Sequence, residues 1–226
     1  MSILALLLAL ALTDEKEVEE AIQKFKSAMR SPDVGARVVA VTDLGRTQHE
    51  RILKVLGSCL QGGDPAVRIA AAAAVSSYED RRTQASSILA EALGANAKEA
   101  KVQVAVFTAL KKLHDESFLG IAYRYIDDKN AEVAEAAIQM TETLHSRHSI
   151  DPLIRLIKKL QTAGEGITGG NGGYDVPADE QLRQRARRLQ AAAEKALQAI
   201  TGQSLSTPQE WDSWWKKNSA TFRIKN

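Results

Sequence analysis

The sequence predicts an all-α protein, an α-solenoid of about four stacked helix pairs with capping helices at either end. Three observations predict it. Aromatics make up only 5% of the chain and prolines number five, while Ala, Leu, Glu, Lys, Arg and Gln crowd it, a composition that favours helix over sheet. Apolar residues recur at helical spacing along most of the length. One apolar position, occupied by Ala36, Val67, Val102 and Val133, returns at intervals of 31, 35 and 31 residues, the signature of a repeated supersecondary unit. A chain of 226 residues with 44% hydrophobic and 26% charged residues has an ordinary globular balance, which excludes disorder and collagen.

The elements follow in order. Residues 2–12 are an uncharged run, Ser2 to Leu12, too short to span a bilayer, which takes about 20 apolar residues. Its length and the Ala9-Leu10-Ala11 pattern suit a signal-peptide core and cleavage site, although no basic residue precedes it. Residues 1–12 are therefore read as a signal core. This predicts export to the periplasm or beyond, with a cytoplasmic location as the alternative and no stable membrane insertion after cleavage. Residues 13–31 form a capping helix, with Val18, Ala21, Ile22, Phe25 and Met29 on one face and a polar outer side.

Residues 32–162 hold four helix pairs. The clearest first helix begins Asp64-Pro65-Ala66-Val67-Arg68. Asp64 can cap it, Pro65 suits the first turn because its missing N–H needs no partner, and Val67, Ala71, Ala74 and Val75 make an apolar stripe. A sister copy runs through Asp33, Ala36, Arg37 and Ala40, a third through Glu99, Val102 and Gln103, a fourth through Asn130, Val133 and Ala134. Each is followed by a second amphipathic stretch, such as Ile52, Leu53, Leu56 and Leu60 in the first pair. Gly62-Gly63, Gly94-Ala95-Asn96 and Asp127-Asp128 separate the units.

Those motifs resemble the short-period HEAT repeats related to the repeats of phycobilisome lyases. The resemblance implies HEAT-like stacking and marks Asp33, Arg37, Asp64 and Arg68 as structural repeat positions. In such proteins the aspartates and arginines of successive repeats form a ladder. It should fade after Arg68, since Gln103 and Ala134 replace the arginine.

Residues 163–178 are a glycine-rich loop holding six of the 14 glycines. Tyr174 is its candidate binding residue, with Asp175 beside it. Residues 179–226 start with a long helix carrying Leu182, Ala186, Leu189, Ala193, Leu197 and Ile200 on one face. After Gly202, Thr207-Pro208-Gln209-Glu210 is a capping box that opens a short helix bearing Trp211, Trp214 and Trp215. These tryptophans are expected to dock as a lid on the last repeat, a ligand-binding aromatic patch being the alternative. This ending resembles the I-T-G…W…W-W…N termini of exported HEAT-repeat proteins of planctomycete-like bacteria, which have no activity to carry over.

No catalytic constellation stands out. There is no G-x-S-x-G, H-E-x-x-H, P-loop or dinucleotide fingerprint. Cys59 is the single cysteine, which excludes an internal disulfide and a cysteine-rich zinc site. His145 and His148 with Glu142 lack a third rigid partner for a metal. No catalytic residue, metal or cofactor is expected. Nine of the 30 basic residues and three of the 28 acidic ones lie in residues 181–226, so that stretch carries +6 and residues 1–180 carry −4. Arg183, Arg185, Arg187 and Arg188 are candidate contacts for an acidic partner. Nucleic acid is the alternative use for this basic helix, yet phosphate binding wants basic residues spread along a groove. The expectation is a monomeric, non-catalytic scaffold for a protein partner, and an enzyme such as a lyase or glycosylase is the most remote reading.

Overall fold

The computed structural model of the protein describes residues 3–165 and 180–224, and among these there are eleven α-helices and no strand. They are α1 (Ile3–Ala28), α2 (Val34–Leu44), α3 (Glu50–Cys59), α4 (Pro65–Val75), α5 (Arg82–Ala95), α6 (Ala100–Leu113), α7 (Leu119–Tyr125), α8 (Ala131–Leu144), α9 (Ile150–Glu165), α10 (Glu180–Thr201) and α11 (Pro208–Asn218). The all-α class and the repeated helix pairs match the sequence reading. The chain gathers into two compact units, residues 1–113 with α1 to α6 and residues 114–226 with α7 to α11.

The repeat boundaries rest on side-chain caps. Asp33 accepts from the backbone N–H of Gly35 and Ala36, Asp64 from Ala66, and Asn130 from Glu132 and Val133. Each satisfies donors that the first helical turn leaves without a partner. The second helices α5, α7 and α9 are each entered through a single 3-10 turn. Two of these turns follow a residue in the left-handed conformation, His114 (φ 53°) after α6 and His145 (φ 50°) after α8.

In the first unit, α2, α4 and α6 pack side by side, with α3 against α4 and α5 against α6. Val41, Leu44, Ile52, Leu53, Leu56, Ala71, Ala72, Val75, Leu89, Val106 and Phe107 are buried. Small residues set how close the helices come. A Cβ built on Gly45, at the end of α2, would stand 2.7 Å from the Cβ of Ala74 on α4. Gly45→Ala should therefore force the two helices apart and destabilise by roughly 1–3 kcal/mol. Gly62→Ala is the control, because nothing lies within 4 Å of a Cβ there. Thermal melts of both variants check this, and equal melting temperatures would contradict the close approach.

In the second unit α10 lies along α8 and α9, and α11 packs on α9. Leu153, Ile154, Ile157, Leu160, Ala186, Leu189, Ala193, Leu197 and Ile200 are buried between them. Leu182, expected on that same face, is 55% exposed. One turn further along, Arg185 meets the turn before α8.

Candidate interaction surfaces

The four repeat positions act locally more than as a ladder. Asp33 and Asp64 are helix caps. Arg37 donates to the carbonyls of Ser31 (2.7 Å) and Pro32 (3.3 Å), which ties down the turn leading into its own helix. Arg68 alone reaches the next repeat, placing its guanidinium 3.8 Å from Glu99, which is the counterpart of Asp64. Its stronger partner is Asn96, whose Oδ1 accepts from Arg68 at 2.5 Å. The Asn96 amide in turn donates to the carbonyls of Leu60 (2.9 Å) and Ala92 (2.7 Å). Arg68 and Asn96 are both buried, so one side chain closes a charged junction between α3, α4 and α5. Sequence reasoning took Asn96 for a turn residue, because its position after Gly94-Ala95 carries no sign of burial.

The basic face of α10 is largely consumed inside its own unit. Arg185 donates to the Asp127 carboxylate (3.0 Å) and to the carbonyls of Asp127 (3.1 Å) and Asp128 (2.6 Å). Arg188 grips the Glu135 carboxylate through two nitrogens. Lys195 pairs with Glu142, and Arg183 lies 3.7 Å from Glu180. Arg187 is exposed. Burial acts to raise the Asp127 carboxyl, but hydrogen bonds from Lys159 and Arg185 outweigh it and hold the group below its ordinary value. The arginines thus position α10 against α8.

Helix α11 is opened by the anticipated capping box, in which the Thr207 hydroxyl accepts from the Glu210 N–H and the Glu210 carboxylate accepts from Thr207. It docks through Lys158 to Asp212 (3.2 Å) and Gln209 to Gln161 (3.0 Å). The tryptophans do not share one fate. Trp211 is fully buried, whereas Trp214 and Trp215 are only partly covered. The last two are near-parallel at 6.0 Å, and Phe222 meets both edge-on at 5.6 and 6.0 Å. The Arg147 guanidinium sits 5.9 Å from the centre of the Trp215 ring and donates to the Ser219 carbonyl at 2.7 Å. A cation over the ring face adds to the docking. Trp211 is therefore the lid anchor, and Trp214 is not the buried ring that the sequence suggested.

The first unit has two grooves flanking α2. One, of about 330 Å³, runs between α1 and α2 and is lined by Ala21, Phe25, Ala28, Val39 and Ala40. The other, of about 360 Å³, runs between α2 and α4 past Gly45, Ala70, Ala73 and Ala74. Val39 stands beside the first, 58% exposed. Neither groove was legible in the sequence, where these alanines read only as helix-packing residues.

Among the described residues no group of His, Cys, Asp and Glu is placed to hold a metal. Glu142 is paired with Lys195, and His145 and His148 occupy the turn after α8. Burial pushes the Cys59 thiol up to about 11, so it stays protonated and a poor nucleophile at neutral pH. Tyr174 lies outside the described residues. No helix of the described residues is long and apolar enough to cross a membrane.

A family profile for HEAT repeats matches residues 22–100, from the second half of α1 to the start of α6. That stretch covers the two best copies of the repeat, and together with the helix pairs it defines an all-α, HEAT-like fold. No curated protein matches the chain.

Proposed function

We propose that this chain is a non-catalytic scaffold that binds a protein partner on the face carried by α1, α2 and α4. HEAT repeats generally serve as protein-interaction scaffolds, and stacked helices give extended surfaces for that use. The observation that carries the reading is Val39, a large apolar side chain left 58% exposed beside a groove on a helix with a second groove on its other flank. The occupancy of Arg185 and Arg188 by internal carboxylates argues against nucleic acid as the ligand of α10. The test is a pull-down with purified chain at low and high salt, comparing the parent with Val39→Glu. A protein retained at both salt concentrations by the parent, and lost with Val39→Glu, is the expected result. Retention of nucleic acid alone, and only at low salt, would overturn it, since phosphate contacts weaken steeply with salt.

The reading also places the protein outside the cytoplasm, on the strength of the apolar run Ser2–Leu12, the Ala9-Leu10-Ala11 pattern and the resemblance of the Trp-rich ending to exported bacterial proteins. Mass spectrometry of the native protein should find an amino terminus near Leu12. An intact Met1 in a cytosolic fraction would reverse that placement.

A further inference from the structure

The second unit contains a pocket of about 380 Å³ that the scaffold reading does not use. It is bounded by His145 after α8, by Ile200, Thr201 and Gln203 at the end of α10, and by Trp214 and Phe222. Its size falls in the range of small-molecule sites. The aromatic wall is held in place, because Trp214 is braced by Trp215 and Phe222 and the Asn218 amide donates to the Trp214 carbonyl at 2.8 Å.

The polar groups around this wall are of both kinds. Arg223 donates to the Phe222 carbonyl and has no carboxylate in ion-pairing range among the described residues. Gln203 and His145 add further polar groups. Against these stands the carbonyl end of α10, where partial negative charge collects. No acidic residue lines the pocket. An anion would gain Arg223 but face the helix end, and a cation would gain the helix end but face Arg223. A neutral molecule dense in hydroxyls satisfies both, since each hydroxyl donates and accepts. The C–H face of a pyranose ring also stacks on an indole, as apolar surface does.

We infer that this pocket binds a neutral saccharide, with a pyranose ring against Trp214. The test is calorimetric titration of the whole chain with maltose, cellobiose, xylobiose and N,N′-diacetylchitobiose, and with benzoate and tetramethylammonium as charged probes. At least one saccharide should bind saturably at about millimolar affinity or tighter, with little salt dependence. Trp214→Ala should weaken it about tenfold or more. Gln203→Ala, which removes no hydrogen bond that supports the fold, should weaken it as well and guards against misfolding of the tryptophan variant. Val39→Glu should leave it unchanged, so this inference and the scaffold reading fail separately. Absence of saturable binding by all four saccharides, a preference for benzoate or tetramethylammonium, or affinity indifferent to both pocket variants would each overturn it.

Discussion

Trp211→Ala should destabilise the second unit by about 3–5 kcal/mol, the cost of emptying a buried aromatic site, and lower its melting temperature by roughly 10 °C or more. The ring is 1% exposed on the inner side of α11 and meets Trp214 edge-on at 6.2 Å. Its removal leaves a cavity beneath a short helix whose other anchors, such as Lys158 to Asp212 and Gln209 to Gln161, are at least partly exposed to solvent. Trp211→Phe should cost much less, because the Trp211 indole N–H is buried without an acceptor and no hydrogen bond is lost with it. Trp214→Ala should fall between the parent and Trp211→Ala, its ring being only partly covered. Circular dichroism melts rank the three variants, and a Trp211→Ala protein as stable as the parent would show that α11 is not held by this ring.

Asn96→Ala should be comparably severe in the first unit, at about 3 kcal/mol or more. The substitution strands the Leu60 carbonyl, takes one of two donors from the Ala92 carbonyl, and leaves the buried Arg68 guanidinium with only Glu99, 3.8 Å away and half-exposed. Arg68 already carries one buried nitrogen, Nε, without a partner, so little slack remains. The double variant Arg68→Met with Asn96→Leu should recover much of the loss, because an apolar pair removes the stranded charge along with its partner. Urea unfolding of the single and double variants measures the difference. If the double variant were no better than Asn96→Ala, the stranded arginine would not be the source of the cost.

Much of the molecule was legible before any tertiary contact was known. The capping box at Thr207, the Asp64-Pro65 start and the recurring position through Val67, Val102 and Val133 are local signals, written within one or two helical turns. The structure repeats them almost residue for residue. The candidate sites were less legible. Arg185 and Arg188 looked like a surface open to a partner, yet they are matched by Asp127 and Glu135 at sequence separations of 58 and 53. Asn96 and Arg68 meet across 28 residues. Nothing in either local stretch announces the other.

The same division holds for the whole chain. By itself the sequence determined that the protein is helical, where its helices begin, that they repeat, and that a tryptophan-bearing helix follows Gly202, because propensity, capping and amphipathic period act within one element. Tertiary structure alone decided that Trp211 is buried while Trp214 lines a pocket, that Leu182 is exposed, that Gly45 lets α2 touch α4, and that Arg185 and Arg188 of α10 are engaged. Those outcomes depend on which neighbour covers a given side chain. Helical periodicity fixes the face a residue occupies, but the length and register of the neighbouring helix determine how far along that face burial extends.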